Sequence, residues 1–348
     1  MQQDKQFNPM IFVCPVIVHG DEHMHTEMER TFNYFISKGY PTHKTYDNGW
    51  INIKKEFSLD LIFYSSPHEL TKKQYFIKNY QDILSCHIPY NFGNSKLLHS
   101  FHDKIFHNLL WKLFAESEIH KQYSINTARN RGINVDITGY PGVDSFFDKN
   151  YISQDNWKIK DKKVKRIIWA PHFSIGDERY SVRYSSFLTY AEYFFELIDK
   201  YKNEIQIAFK PHPVLKNSLY NHPDWGKEKT DAYYNSWSER ENSQLEEGEY
   251  IDLFITSDAM IHDSGSFLIE YLCLNKPVLR TDRDDTIRER LNSFANMAYD
   301  VHYIARCNKT LISLLKICYP TLMSLKIKGV HFKKNSCCLL MENWLQTM

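Results

Sequence analysis

The sequence predicts an α/β fold made of two Rossmann-like domains that face each other across a cleft. Three observations support this prediction. The chain has 348 residues, which exceeds the ~250 to 300 residues at which single hydrophobic cores stop growing. Short apolar runs rich in β-branched residues recur, separated by stretches long enough for the helices that connect parallel strands. This alternation occurs twice, once on each side of a polar, lysine-rich stretch at residues 148–165 that has the composition of a linker.

The first series of elements predicts a Rossmann-like domain over residues 1–150. An apolar run at 11–18 predicts a strand, and a polar loop and a helical pattern that ends at Gly39 follow it. Aromatic and aliphatic residues at helical spacing predict one long helix or two within 97–123. Further strands are predicted at three short apolar runs, 61–64, 84–87 and 135–138.

The second series predicts a further Rossmann-like domain over residues 151–325, and residues 326–348 are predicted to form a helical extension. Because ligands bind at the carboxyl ends of strands in such sheets, the residues that directly follow each strand are the candidates for a site. The predicted helices lie at 186–201 and 267–274. The predicted strands lie at 164–170, 205–210, 259–262 and 277–279.

Composition and charge restrict the class of protein. The chain carries 43 Lys and Arg against 42 Asp and Glu, so it lacks the basic bias of a protein devoted to nucleic acid. Its first apolar run contains Pro15 and is far shorter than the ~20 residues that span a bilayer. The N-terminus lacks the features of a secretory signal, and the seven Cys form no C-x-x-C pair, so we expect reduced thiols and a cytoplasmic location.

The most informative segment lies between the predicted strand at 259–262 and the predicted helix at 267–274. Asp263 is followed there by Ser264, Gly265 and Ser266, so backbone N–H groups and hydroxyls precede a helix. Such a turn can bind an anionic group such as a pyrophosphate. Glu270 follows one turn into the helix, where its carboxylate can accept hydrogen bonds from ribose hydroxyls. The alternative is that Ser264 or Ser266 only caps the helix.

Two other strand exits carry histidine next to proline. Lys210 ends the strand at 205–210 and His212 follows it, and His172 follows the strand at 164–170. Proline fixes the backbone, which holds an imidazole in place to meet a phosphate oxygen or to stabilise a departing nucleotide. The alternative at His212 is that the His-Pro pair only ends the strand.

A histidine in the first series is a candidate general base. His87 ends the strand at 84–87, and imidazole, with an ordinary pKa near ~6.5, can accept a proton from an attacking hydroxyl. His19, His23 and His25 form a dense polar loop but lack a recognised ligand spacing, so we predict no metal site. No cofactor is predicted.

Taken in order, these segments resemble the CDP-glycerol glycerophosphotransferase family over roughly residues 80 to 280. Four matches carry the resemblance. Gly139-Tyr140-Pro141 with Asp144 is similar to the family's Gly-Tyr-Pro-Arg-x-Asp, and Trp169-Ala170-Pro171 is similar to its Ala-Pro-Thr. Lys210-Pro211-His212-Pro213 is similar to its Lys-Leu-His-Pro, and residues 257–277 follow its Ser-Asp, Thr-Asp-Tyr-Ser-Ser, acidic residue and Lys-Pro pattern.

The resemblance implies a GT-B-like fold and an enzyme that moves a polyol phosphate from a CDP-activated donor to a hydroxyl of a teichoic-acid-like or capsular acceptor, releasing CMP. It also implies that the domain at 1–150 is the acceptor domain and that the domain at 151–325 is the nucleotide-donor domain. The family's nucleotide and pyrophosphate contacts then fall on five residues, Lys210, His212, Asp263, Ser266 and Glu270. The sequence also departs from the family pattern. His87-Ile88-Pro89-Tyr90 stands for its His-Gly-Thr-Pro, its arginines after Pro141 and Pro171 are replaced, and Ser264-Gly265 replaces its Tyr-Ser.

These departures leave two alternatives open. The chain can be a glycosyltransferase that uses a nucleotide sugar for capsule or lipopolysaccharide synthesis, or a subunit that binds a nucleotide or polymer without turnover. The expected partners are a CDP-linked donor and a polysaccharide or lipid-linked acceptor. The basic stretch at 326–334 is a candidate for peripheral membrane contact, and a solvated surface is the alternative.

Overall fold

The computed structural model describes residues 4–18, 20–176 and 183–318. By its internal contacts the chain divides into two compact units. Unit 1 comprises Met1–Tyr90, His102–Ala115 and His120–Thr138, and unit 2 comprises Asn91–Phe101, Glu116–Ile119 and Gly139–Met348. The domain limits 1–150 and 151–325 stay predictions. The predicted extension at 326–348 and its candidate membrane contact lie outside the described residues.

Short parallel strands organise the first part of the chain. Its elements in order are β1 (Ile11–Val13), α1 (Asp21–Ser37), β2 (Thr42–Lys44), α2 (Ile53–Glu56), β3 (Leu61–Tyr64), β4 (Leu84–His87), α3 (Leu98–His102), α4 (Ile105–Leu109), β5 (Lys112–Ala115), α5 (Glu118–Thr127) and β6 (Val135–Ile137). Strands β1 and β2 pair in parallel, and a second parallel sheet has the order β3-β4-β5-β6. The predicted strands at 61–64 and 84–87 are confirmed.

The prediction of one long helix or two within 97–123 is wrong, because strand β5 lies in the middle of this range. Leu113 and Ala115 are buried while Lys112 and Phe114 are partly exposed, which is the period-two pattern of a strand. The short helices α4 and α5 flank β5. Their apolar residues extend the helical spacing across the whole range, so the four-residue strand between them is not visible in the sequence. A short apolar run cannot be distinguished from a buried helical segment by periodicity alone.

Unit 2 is built on one larger parallel sheet. Its elements are α6 (Asp144–Phe147), β7 (Lys165–Ala170), α7 (Phe187–Lys200), β8 (Ile205–Phe209), α8 (Leu215–Tyr220), α9 (Gly226–Glu239), β9 (Ser243–Leu245), α10 (Ile251–Thr256), β10 (Ala259–His262), α11 (Phe267–Glu270), β11 (Val278–Thr281), α12 (Ile287–Arg290), α13 (Ser293–Asp300), β12 (Tyr303–Ala305) and α14 (Asn308–Cys318). The strand order is β12-β11-β10-β7-β8-β9, so β10, β7 and β8 are neighbours at the centre.

Aromatic rings form much of the core between this sheet and its helices. Trp169 on β7 stacks on Phe194 of α7 with ring centroids 4.0 Å apart, and Phe209 of β8 stacks on Trp237 of α9 at 4.9 Å. All four side chains are fully buried. Fully burying one such ring contributes about 1.5 to 3 kcal/mol, so this cluster fixes the sheet and the loops that leave it. Among the described residues, no helix combines the length and apolarity needed to cross a membrane.

Buried histidines make the stability of the fold depend on pH. Desolvation lowers the pKa of His102 and His212 to about 4, and that of His107 and His302 to about 3. Between those values and 6.5 each of these histidines binds more protons in the unfolded chain than in the folded chain, so the four together lower the free energy of unfolding as the pH falls. Burial raises the pKa of Asp263 to about 6 and that of Glu270 to about 7, and these two carboxyls offset part of the loss. We expect a loss of roughly 1 kcal/mol or more per histidine between pH 7 and pH 5. Urea unfolding at both pH values measures it, and an equal free energy at pH 5 and pH 7 would contradict the expectation.

Candidate functional site

Three loops of unit 2 meet at the carboxyl edge of its sheet, where the neighbouring strands β7, β8 and β10 end. His172 follows β7 and His212 follows β8, and their ring centroids lie 5.2 Å apart. The main-chain N–H of His212 donates to the carbonyl oxygen of Pro171 at 3.0 Å, which ties the two loops together. The sheet order therefore brings together histidines that lie 40 residues apart in sequence.

Asp263, directly after β10, connects this third loop to the first. Its Oδ1 accepts from the main-chain N–H of His172 at 2.5 Å, and its Oδ2 accepts from the N–H and the hydroxyl of Ser186 at 2.6 and 2.9 Å. Burial raises the pKa of this carboxyl to about 6, and the donors from Ser186 and His172 oppose that shift. Because the side chain is fully buried and both oxygens are occupied, Asp263 holds the neighbouring loops in place.

The hydrogen bonds of both histidines determine which ring nitrogen carries the proton. The main-chain N–H of Val214 donates to Nδ1 of His212 at 3.2 Å, and that of Ser174 donates to Nδ1 of His172 at 3.2 Å. Burial lowers the pKa of both rings, so both are neutral near pH 7. Since Nδ1 accepts in each case, Nε2 carries the hydrogen. No described residue accepts from either Nε2–H, so both rings can donate to an anionic ligand.

The turn at residues 264–266 has unused donors. The main-chain N–H groups of Ser264, Gly265 and Ser266 donate to no residue in the described part of the chain. Ser266 occupies the N-cap position of α11 without a side-chain capping bond, so the capping alternative has no support there. The predicted helix at 267–274 is a single α-helical turn, α11, followed by a 3₁₀ turn at Tyr271–Leu274. Its dipole is therefore small, and the main-chain donors carry the argument for anion binding.

Two residues beside this turn were not predicted from the sequence. A Cβ atom on Gly265 would lie 2.8 Å from Nδ2 of Asn94 and 3.3 Å from Cε2 of Tyr184. Asn94 reaches this position because its segment pairs with residues 290–292, where α12 ends and α13 has not yet begun: the N–H of Asn292 donates to the carbonyl of Asn94 at 2.9 Å. Tyr184 is buried and its hydroxyl has no hydrogen-bond partner in the described structure. Glycine at 265 therefore permits the close approach of both side chains.

Lys210 and Glu270 are both engaged within unit 2. Nζ of Lys210 donates to the carbonyl oxygen of Gly248 at 2.7 Å. Oε2 of Glu270 accepts from the hydroxyl of Tyr250 at 2.8 Å, and burial raises the pKa of this carboxyl to about 7. No described residue donates to its Oε1. Direct contacts of Lys210 with phosphate and of Glu270 with ribose stay predictions.

His87 lies in unit 1 and has the opposite tautomer. Its Nδ1 faces the carbonyl oxygen of Tyr64 on the adjacent strand at 2.7 Å and must donate to it. Burial lowers the pKa of the ring, and the bond to Tyr64 partly opposes that shift. Neutral His87 therefore carries a lone pair on Nε2, which is the state that a general base requires. The side chain is 4% exposed.

The described residues contain no group of three or more His, Cys, Asp or Glu side chains placed to hold a metal ion. Of the dense polar loop near the N-terminus, His19 lies outside the described residues. His25 belongs to α1, where its ring lies 5.5 Å from that of Tyr46.

Comparison with solved structures shows the fold. The chain superposes on a UDP-N-acetylglucosamine 2-epimerase with a TM-score of 0.53 at 12% identity, covering 92% of this chain and 82% of that one. It also matches the H548A form of the wall teichoic acid polymerase TagF with a TM-score of 0.51 at 11% identity, covering 88% of this chain and 73% of that one. These likenesses confirm the predicted α/β, GT-B-like fold class.

Sequence comparison shows the family. The chain is 30% identical over 235 residues to the teichoic acid poly(ribitol-phosphate) polymerase of Bacillus spizizenii, covering 62% of this chain and 33% of that protein. It is 28% identical over 199 residues to the ribitol-phosphate polymerase TarK of Staphylococcus aureus, covering 55% of this chain and 36% of that protein. The matched region thus spans about a third of each relative. The profile of the CDP-glycerol:poly(glycerophosphate) glycerophosphotransferases matches residues 112–318, and the chain belongs to that family.

Proposed function

We propose that the chain transfers a polyol phosphate from a CDP-linked donor to a hydroxyl of a teichoic-acid-like acceptor and releases CMP. The observation that carries the proposal is the meeting of His172, His212 and the turn at 264–266 at one sheet edge of unit 2. The loops that leave this edge carry two neutral Nε2–H donors and three main-chain N–H groups that have no partner among the described residues. Donors of this kind suit a diphosphate, whose oxygens need hydrogen bonds.

The proposed reaction is a direct displacement at phosphorus. The acceptor hydroxyl oxygen forms a bond to the phosphorus next to the polyol while the bond from that phosphorus to the bridging oxygen of CMP breaks. His87 takes the hydroxyl proton on Nε2. His212, His172 and the N–H groups of the turn stabilise the negative charge that develops on the departing CMP.

Two further assignments complete the proposal. Asp263 acts through the loops that it holds and not by touching the ligand, because donors within unit 2 occupy both of its oxygens. The polyol is glycerol or ribitol, since the family name indicates the first and the named relatives indicate the second. We also propose a lipid-linked acceptor, and hence a cytoplasmic protein that works at the inner face of the membrane.

A matched set of donors tests the proposal. Purified protein is incubated with CDP-glycerol or CDP-ribitol and short poly(polyol phosphate) acceptors, and CMP release and acceptor extension are both measured. We expect stoichiometric CMP release and extension with one of the two donors. Binding of UDP- or GDP-sugars in preference to either CDP-polyol, measured by calorimetry, would instead support the glycosyltransferase alternative. Binding of a CDP-polyol without CMP release from any acceptor would support the non-enzymatic alternative.

Gly265→Ala is expected to weaken donor binding about 10-fold and to lower the melting temperature modestly, because the added methyl group also lies 3.3 Å from the buried ring of Tyr184. The new methyl group would lie 2.8 Å from Nδ2 of Asn94, which can move because it is the end of a flexible side chain. The displaced amide and the methyl group then occupy space beside the N–H donors of the turn. The effect corresponds to about 1.4 kcal/mol of binding free energy. Calorimetry with the CDP-linked donor and thermal unfolding measure the two quantities.

Gly248→Ala is the matched control for this substitution, since a Cβ atom at Gly248 would meet nothing within 4 Å and alanine keeps the main-chain carbonyl that accepts from Lys210. It should bind the donor as the wild-type protein does. Equal donor affinity in Gly265→Ala and the wild type would contradict the placement of the diphosphate at this turn.

A further inference from the structure

Arg280 is a buried charge in the middle of a strand. It lies on β11 and is 0% exposed, although a guanidinium is costly to remove from water unless it is paired. Its Nε donates to Oδ1 of Asp282 at 2.9 Å, and Oδ2 of Asp282 accepts from the hydroxyl of Tyr299 at 2.5 Å. The ion pair is therefore anchored to helix α13 as well as to its own strand.

The other two nitrogens of Arg280 bind the turn after β10. One donates to the carbonyl oxygen of Ser264 at 2.9 Å and the other to the carbonyl oxygen of Asp263 at 3.1 Å. The guanidinium is planar and rigid, so it fixes the orientation of two successive peptide groups.

The orientation of those peptides determines where their N–H groups point. In a trans peptide the C=O bond and the N–H bond of the next residue point in opposite directions, and the described chain has no cis peptide. With the carbonyls of Asp263 and Ser264 turned towards Arg280, the N–H groups of Ser264 and Gly265 point away from it. Neither N–H has a hydrogen-bond partner among the described residues.

We propose that Arg280 is a positioning residue that aims the main-chain N–H groups of Ser264 and Gly265 at the diphosphate of the donor. Its positive charge lies behind both peptide groups and polarises them, which strengthens their N–H donors in a low-dielectric environment. Arg280 itself does not touch the ligand, because its nitrogens are occupied by protein. This inference rests on the proposed function, since it needs a donor that carries a diphosphate.

Arg166 provides a matched control. It is also a mostly buried arginine of the same sheet, on β7, and it binds a carboxylate, that of Asp155, at 2.7 Å. It lies near the amino end of its strand, whereas the turn at 264–266 follows the carboxyl end of β10. Arg166→Met should therefore lower the melting temperature as Arg280→Met does but leave donor affinity within about two-fold of the wild type.

The test compares the full chain and its Arg280→Met, Arg280→Lys and Arg166→Met variants. The dissociation constant for CDP-glycerol and CDP-ribitol is measured by calorimetry, at a temperature where circular dichroism shows every variant folded. We expect Arg280→Met to bind at least 10-fold more weakly than the wild type and Arg280→Lys to recover part of that loss. Wild-type affinity in Arg280→Met, or an equal loss in Arg166→Met, would overturn the proposal.

A second variant keeps the proposal testable if Arg280 cannot be replaced. If Arg280→Met does not fold, Tyr299→Phe removes only the hydroxyl that holds Asp282, and it should weaken donor binding about two- to five-fold. Unchanged binding in Tyr299→Phe would then overturn the proposal.

If the wild-type protein binds neither CDP-linked donor, the proposed function fails and the role of Arg280 fails with it. If the wild-type protein binds a donor and the Arg280→Met variant binds it equally well, only the role of Arg280 fails and the proposed function stands.

Discussion

His212→Ala should lower the rate of CMP release about 100- to 1000-fold. The neutral ring presents an Nε2–H donor, and removal of one preorganised donor to a developing negative charge typically costs about 10²- to 10³-fold in rate. His212→Gln keeps an amide donor and should recover part of the loss. Steady-state assays of CMP release at saturating donor measure the rate.

His25→Ala serves as the control for this prediction, because His25 is exposed on α1 in unit 1. It should leave the rate unchanged. A rate in His212→Ala within a few-fold of the wild type would exclude His212 as a residue that stabilises the leaving group.

His87→Gln should lower turnover roughly 10²- to 10⁴-fold, the usual contribution of a positioned general base, and leave donor affinity unchanged. The bond from Nδ1 to the carbonyl of Tyr64 leaves the lone pair on Nε2, and glutamine supplies no comparable base. The contrast with His212 is diagnostic, because loss of His212 should also weaken binding of the diphosphate. Calorimetry and CMP release measure the two effects separately.

The pH dependence of the same reaction tests the protonation state of His87. Burial places its pKa below 6.5, so the base is unprotonated at neutral pH and the rate should fall only as the pH drops through that lowered pKa. This acid limb should disappear in His87→Gln. An acid limb of the same shape in the variant would show that another group titrates.

Much of the site follows from strand exits that the sequence makes recognisable. The strands at 205–209 and 259–262 are apolar and end in polar residues, so His212 and Asp263 could be placed at a sheet edge before their neighbours were known. The order of strands then decides which exits meet, and that order follows from the packing of the whole unit. Periodicity within one segment therefore gives no information on the order of strands in the sheet.

Three features were not predicted from the sequence: Arg280, strand β9 and Asn94. The first two depend on polar or charged side chains that are buried, and the third depends on pairing between distant segments. Arg280 sits in the run Val278–Thr281 as a buried charge, and composition alone places arginine at the surface. Strand β9 carries the polar residues Ser243 and Gln244, so its sequence lacks the apolar pattern of a buried strand. Both residues are buried, and hydrogen bonds such as that from Gln244 to the carbonyl of Asn156 satisfy their polar groups. Asn94 depends on pairing with residues that follow much later in the chain.

Unit 2 includes segments from the first part of the chain, which matters when parts of two family members are recombined. A fragment that began at Gly139 would omit the segment Asn91–Phe101, and with it the carbonyl of Gly93 that accepts from the side chain of Asn292 at 2.8 Å. Asn94, one wall beside Gly265, would be lost as well. Exchanging the front half of the chain for that of another family member would thus replace part of the proposed donor site, and we expect such a chimera to take its ligand preference from both parents.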